Sequence, residues 1–377
     1  MKTGITLREL FNEVTRQQKA KRDMLISTDV GARMVQVKEG EKRVLMIETL
    51  PSGAAHLERF GINETAHRQV SEWLGIPWRY YDRLVNDHGD LVAHQVNALF
   101  QREPGRRMFR ILDGRVRAFL SDKYRRIDND SIIAGTLPTL MDKDGGFPAN
   151  AVIRSYIGDD AMNFTVVFTG DELAQDLGEV HGKRDIVRPG FIVGNSETGK
   201  GTFSVTGFFH RGYCTNGCVW MTGDISVELR RNHLGGKLAS GLLGEILSDE
   251  SKAADDKALI LAARDVMRAM GTKEMSDKLG NALRAAKGGA VIQQVSAATE
   301  VLAAEVGLLD AEREAFLNNL IAESDLSRFG ALNAVTAIAN ADDTTQERAF
   351  ELEQIGGKIL QMNNDSWLRI ANAKVAV

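Results

Sequence analysis

The basic stretch QREPGRRMFRILDGRVRAFLSDKYRR, from Gln101 to Arg126, constrains this chain more than any other segment. Asp113-Gly114 sits between two alternating runs. Asp-Gly is the strongest short hairpin signal, because a type I′ turn needs positive φ at both central residues. The stretch therefore predicts one strand from Phe109 to Leu112 and a second from Arg115 to Leu120. A two-residue turn sets the register: Leu112 faces Arg115, Ile111 faces Val116, Arg110 faces Arg117 and Phe109 faces Ala118. Phe109, Ile111, Val116, Ala118 and Leu120 then share an apolar face, while Arg110, Arg115, Arg117 and Phe119 share the other. Arginines directly opposite one another repel unless something anionic lies over them. The competing reading is a solvated strand face, or arginines paired with acids elsewhere in the chain.

Around this stretch the chain is mildly acidic, with a formal charge of −4 over 377 residues. That excludes a uniformly basic nucleic-acid coat but allows a local basic face. The length predicts two or three units. Hydrophobic residues at 43% and charged residues at 26% fit a globular protein with a large core. Two cysteines four apart, in CTNGC, make no disulfide framework and suit a reducing cytoplasm. The opening MKTGITLRELFNEV lacks the apolar segment of a secretory signal, and no apolar run is long enough to span a bilayer.

In chain order, Leu7, Leu10, Phe11 and Val14 mark one helix face, and strands are predicted at Met34–Val37 and Val44–Ile47. Thr65 is a candidate cap for a helix burying Val70, Trp73 and Leu74, closed by Gly75. Pro77 opens the next helix, with Trp78, Tyr80, Tyr81 and Leu84. This pair has helix-turn-helix spacing, although spacing alone shows no exposed reading face and a packed helical hairpin fits as well. A helix is predicted over 131–141, then a hairpin of 151–157 and 163–168 turned at Gly158-Asp159-Asp160. Further strands are predicted at 191–193, 203–209, 218–221 and 225–229. From about Leu238 strand formers thin out, and helices are predicted near 252–270, 291–307, 311–322, 329–340 and 344–362.

Few residues point to bond chemistry. Gly194 to Thr202 (GNSETGKGT) nearly fits a phosphate-binding loop, but Gly201 stands where Ser or Thr belongs and the following segment reads as a strand. Lys200 remains a candidate anion contact. His210, Cys214 and Cys218, with His233 downstream, are potential zinc ligands, yet they lack a C-x-x-C knuckle and fit small packed residues beside an Asn216-Gly217 turn. The seven histidines are scattered, and Ser196 lacks a nucleophile elbow. No catalytic residue, metal or cofactor is assigned.

Several blocks, in order along the chain, resemble the phage/plasmid-like protein family known as domain of unknown function 932. They are AHRQVSEWLGIPWRYYDRL (66–84), RAFLSDKYRRIDN (117–129), GFIVGNSETGKGTFSV (190–205), YCTNG (213–217), FGALNAVTAIAN (329–340) and ERAFELEQIGGKIL (347–360). The resemblance implies a mobile-element or prophage context and a cytoplasmic protein; it supplies no reaction and no catalytic residues. The strand–turn–strand–helix order from Met108 to Met141 is also similar in plan to phage single-strand annealing proteins, an analogy of architecture only.

The expectation is an α+β fold. It comprises an N-terminal hairpin-and-helix region (1–100), a central, mainly antiparallel β-rich core carrying the basic hairpin (101–237) and a helical C-terminal region (238–377). The expected function is single-stranded nucleic-acid binding, DNA favoured, extending to ATP-independent strand annealing by a homo-oligomer for which a ring is compatible. Arg110, Arg115 and Arg117 grip phosphates, Phe119 stacks on a base, and Arg106, Arg107, Lys123, Arg125, Arg126 and Lys200 extend the track. The alternatives are a protein-interaction factor of a mobile element, whose arginines meet an acidic partner, and a metal-dependent enzyme built on His210, Cys214 and Cys218.

Overall fold

The computed structural model describes residues 2–3, 5–39, 42–50, 56–140, 152–180, 182–211, 218–220, 228–231 and 249–374. The fold is α+β, with a mixed six-stranded sheet, a larger antiparallel sheet and a helical C-terminal region. After a short strand β1 (Lys2–Thr3), helix α1 (Leu7–Ala20) starts at a capping box. The Thr6 hydroxyl accepts from the Glu9 amide at 3.3 Å, and the Glu9 carboxylate accepts from the Thr6 amide at 2.8 Å.

The six-stranded sheet comprises β2 (Arg22–Ser27), β3 (Ala32–Glu39), β4 (Lys42–Thr49), β5 (Glu58–Ile62), β6 (Arg106–Leu112) and β7 (Arg115–Ser121). Its order is β2-β6-β7-β5-β4-β3, and only β5–β7 is parallel. Between these strands lie α2 (Thr28–Gly31), α3 (Glu64–Trp73), α4 (Trp78–Asp87) and α5 (Gly89–Arg102). Val70, Tyr81, Leu84, Val92, Val96 and Phe100 from the last three pack on one face of the sheet, against Met34, Ile47, Phe109, Ile111 and Phe119. Asn63, rather than Thr65, caps α3, accepting from the Ala66 amide at 2.9 Å. The basic hairpin thus belongs to the N-terminal sheet, so the boundary expected near residue 100 falls inside one hydrogen-bonded unit.

Asp113 (φ 49°) and Gly114 (φ 75°) form the predicted turn. Leu112 pairs with Arg115 and Ile111 with Val116, as the turn dictates. Beyond them the register departs from expectation. Arg110 pairs with Ala118 and Phe109 with Phe119, because Arg117 is a bulge residue. One extra residue in a strand of period two sends every later side chain to the opposite face. Phe119 is therefore in the core, edge-on to Phe109 and stacked on Phe100, and it is not a base-stacking ring. Ala118 and Leu120 move to the other face, where they pack with Met108 and Tyr124.

The larger sheet follows α6 (Asn129–Leu140). It runs β1-β8-β9-β11-β12-β13, with β10 paired to β11 and β14 to β12. Its strands are β8 (Val152–Ile157), β9 (Met162–Val167), β10 (Gln175–Val180), β11 (Lys183–Asn195), β12 (Phe203–Arg211), β13 (Cys218–Trp220) and β14 (Glu228–Arg231). The helices α7 (Asp249–Met270), α8 (Lys273–Lys287), α9 (Val295–Val306), α10 (Asp310–Glu323), α11 (Arg328–Ala339), α12 (Gln346–Gln361) and α13 (Asn364–Ala371) complete the chain. Their apolar side chains share a core with Phe164, Phe191, Phe203 and Phe209 of the sheet. Helix α11 is apolar on nearly every side, which is why it lies inside this layer rather than over it. Among the described residues no helix is long and apolar enough to cross a membrane.

Strand β3 is an edge of the six-stranded sheet, and Asn97 of α5 blocks part of it. The Asn97 amide oxygen accepts from the Met34 N–H and its nitrogen donates to the Met34 carbonyl, both at 2.8 Å. The side chain thus stands in for a neighbouring strand. Replacing Asn97 by alanine strands both Met34 groups, so Asn97→Ala is expected to lower stability by about 1–3 kcal/mol, read as an earlier urea midpoint.

Candidate functional site

The face of the hairpin opposite its helices carries Arg110 and Arg117, and the larger unit closes over it. Arg110 is 0% and Arg117 2% exposed. Arg110 donates from Nε to Asp23 at 3.0 Å, from Nη2 to Asp128 at 2.6 Å and from Nη1 to the Glu197 carbonyl at 2.9 Å. Arg117 pairs with the Glu197 carboxylate and donates to the Asp159 carbonyl at 3.1 Å. Asp23 is the cross-strand neighbour of Arg110 on β2. Glu197, 3% exposed, comes from the loop between β11 and β12.

Lys21, at the end of α1, adds a third cation: its Nζ lies 2.9 Å from Asp128 and 3.5 Å from both Asp130 and Glu197. The Asn129 amide donates to the same Glu197 oxygen as Lys21, the one Arg117 leaves free, at 2.7 Å. Arg126, at the exposed rim, lies 3.4 Å from Asp23. Four cations thus face Asp23, Asp128, Asp130 and Glu197, and the cluster is neutral as a whole. Burial alone would push the Asp128 carboxyl up, but Arg110 and Lys21 outweigh it and hold the group down at about 2. The same acids hold the Arg110 guanidinium above its usual range against burial. Asp128, Asp130 and Glu197 are close enough together to hold a metal ion. The Lys21 ammonium already supplies their positive charge.

The glycine-rich loop does not cradle phosphate. Successive carbonyls of Ser196, Glu197 and Thr198 accept from Tyr124 Oη (3.3 Å), Arg110 (2.9 Å) and Gln69 (2.7 Å). A phosphate site would present amides at the start of a helix, whereas this loop presents filled acceptors and leads into β12. Lys200 is exposed and bonds Asp160 at 2.8 Å.

Of the residues nominated as a phosphate track, the structure therefore withdraws Arg110 and Arg117, whose charges are met internally, and Phe119, which is core. Arg125 is held by Asp255 and Asp256 at the start of α7. Arg107 lies over the Trp73 and Phe119 rings. Lys123 and Arg126 are on the surface. Arg106 and Arg115 are exposed and meet no carboxylate among the described residues. Cys214 and His233 lie outside the described residues; His210 pairs in register with Cys218 across β12 and β13. His67 and Tyr81 form a buried 2.9 Å pair under α3 and α4. Burial lowers the His67 imidazole to about 4, so it is neutral and structural near pH 7.

No protein-family model, curated protein or solved structure matches this chain. The resemblance to the phage/plasmid-like family therefore rests on its sequence blocks alone.

Beyond the hairpin's inner arginines, the same sheet face continues as an open patch on the outer side of β3, β4 and β5. The pairings Arg33–Glu48–Arg59 and Val35–Met46–Gly61–Arg115 form two adjoining rows there. Arg33, Arg59 and Arg115 are exposed, and Arg59 bonds Glu48 at 2.8 Å. Sequence reasoning found Arg115 but missed the other two, because β5 carries no alternating pattern and its parallel pairing with β7 has no local signal.

Two outcomes are expected for the buried cluster. Arg117→Met leaves Glu197 without its closest cation and should cost about 3–5 kcal/mol in urea unfolding, with Arg117→Met/Glu197→Gln costing less than the sum of the single changes. For Asp128, the folded-state value of about 2 lies below the ordinary 3.8. Its contribution is therefore complete above pH 4 and disappears as pH falls towards 2. Stability measured across that window should drop more steeply in the native chain than in Asp128→Asn.

Proposed function

We propose that this chain binds single-stranded nucleic acid, DNA favoured, across the open face of its six-stranded sheet, and that it does so without bond chemistry. The observation that supports this reading is the group of three exposed guanidiniums, Arg33, Arg59 and Arg115, on adjoining rows with one acid, Glu48, among them. Guanidinium forks suit phosphate oxygens, and a sheet face spaces them along an extended backbone. No ring accompanies them: the neighbouring Phe60 packs towards the helices. Binding is thus by charge, sequence-tolerant and of modest affinity. Strand annealing by a homo-oligomer of a mobile element is the finer form of the same proposal, since bases not held by stacking remain free to pair.

A second reading has its own support. Val35, Val37, Val44 and Met46 are half-exposed on this same face, and apolar side chains between arginines suit an acidic polypeptide partner. Co-purification of a stoichiometric protein free of nucleic acid would favour it.

The discriminating measurement is single-strand binding across a salt series. With two to three phosphates engaged, the plot of log K against log salt should fall with a slope of about −1.5 to −2. Arg33→Ala/Arg59→Ala/Arg115→Ala should flatten that slope, and Arg33→Ala/Arg115→Ala, which keeps the Arg59 bond to Glu48, should weaken it with the urea midpoint nearly unchanged. A native chain that fails to bind at low salt, or a triple variant that binds with the native slope, rejects the reading.

A further inference from the structure

A cavity of about 410 Å³ opens on the seam between the two units. It is lined by Glu13 and Gln17 of α1, Asn63, Glu64 and Thr65 at the start of α3, residues 156–160 of the β8–β9 turn, and Lys200. The size is that of a small-ligand site. Three of its four carboxylates are already matched. Glu13 bonds Arg16, Glu64 bonds Arg68, and Asp160 bonds Lys200 and the Thr65 hydroxyl. The Asp159 side chain is exposed, and its carboxylate meets no cation among the described residues; Arg117 bonds only its carbonyl. Tyr156 is the second feature. It is 8% exposed, lines the cavity, and its hydroxyl has no hydrogen-bond partner among the described residues. Gly158 allows this placement, since a Cβ there would come within 2.4 Å of the Tyr156 oxygen.

We propose that this cavity binds an organic monocation, a primary amine or a guanidinium, whose N–H groups donate to the Asp159 carboxylate and the Tyr156 hydroxyl oxygen. One unmatched carboxylate sets the charge at a single positive unit. An anion is disfavoured because the lining holds four acids and Lys200 is already engaged. A ligand seated here touches α1, α3 and the β8–β9 turn together, so it ties the N-terminal sheet to the larger unit. The site is separate from the open sheet face, and the inference does not depend on nucleic-acid binding.

Ligand-observed NMR and calorimetry on the full chain test it, with butylamine and butylguanidine as monocations. Butanol, inorganic phosphate and calcium chloride serve as neutral, anionic and metal controls. Saturable binding of a monocation is expected, weakened about tenfold by Asp159→Asn and several-fold by Tyr156→Phe. Neither change removes a packing group, so thermal midpoints should hold. An arginine-bearing peptide that binds tighter than butylguanidine would assign the cation to a polypeptide side chain, and equal affinity would assign it to a free small monocation. Absence of saturable monocation binding, an unchanged affinity in Asp159→Asn, competition by phosphate, or calcium binding in place of the amines would overturn the proposal.

Discussion

Glu197 sits where the two halves of the molecule meet, and its carboxylate is the anion on which the seam depends. A buried charge is costly to desolvate, by several kcal/mol even after relaxation, unless its partners are close and its lone pairs are filled. Glu197 meets that condition with Arg117, the Asn129 amide and Lys21, while its own carbonyl takes Arg110. Each partner comes from a different part of the chain: the basic hairpin, the start of α6 and the end of α1. Such an arrangement contributes geometry more than net energy. Only one relative placement of the two sheets satisfies all of the groups, and a slip of a few ångströms would leave buried ions exposed to each other without water.

The same cluster explains why α1 lies where it does. It precedes the N-terminal sheet in sequence, yet it packs against β8 and α6 of the larger unit. Lys21 is the last residue before β2, so the chain crosses the seam at the point where a cation is needed. Asp128 and Asp130 flank the first residue of α6 in the same way, at the crossing back. The connections between the units are therefore also their electrostatic bond. Breathing between the units would have to break ion pairs in low dielectric, so the seam is expected to be stiff compared with the outer face of the sheet.

How much of this was legible in the sequence follows from the range of each interaction. The Asp-Gly turn was readable because two adjacent residues determine it, and both adopt positive φ. The C-terminal helices were readable because their apolar spacing is local, although α8 and α13 were not anticipated, nor was α5 of the N-terminal unit. Phe119 was misplaced by one bulge residue, and no side-chain pattern within the hairpin distinguishes Arg117 as bulged from Arg117 as paired. The destinations of Arg110 and Arg117 were further out of reach. Their acids stand at positions 23, 128 and 197, and only the tertiary fold brings these together.

An arginine pair on a strand therefore reads two ways, and burial decides between them. The bulge means that Arg110 and Arg117 do not stand directly opposite one another, yet both point to the same inner face and meet an anion there; the anion is the protein itself. What remains for an external polyanion is set by which cations stay exposed, a property of three-dimensional placement rather than of local charge density. The basic stretch from Gln101 to Arg126 holds nine arginines and lysines, yet its most concentrated part faces inward. Arg33 and Arg59, from stretches that are unremarkable in charge, join Arg115 on the open face because β5 is inserted beside β7. Strand order, more than the count of basic residues, is what gathers exposed guanidiniums on one face of this protein.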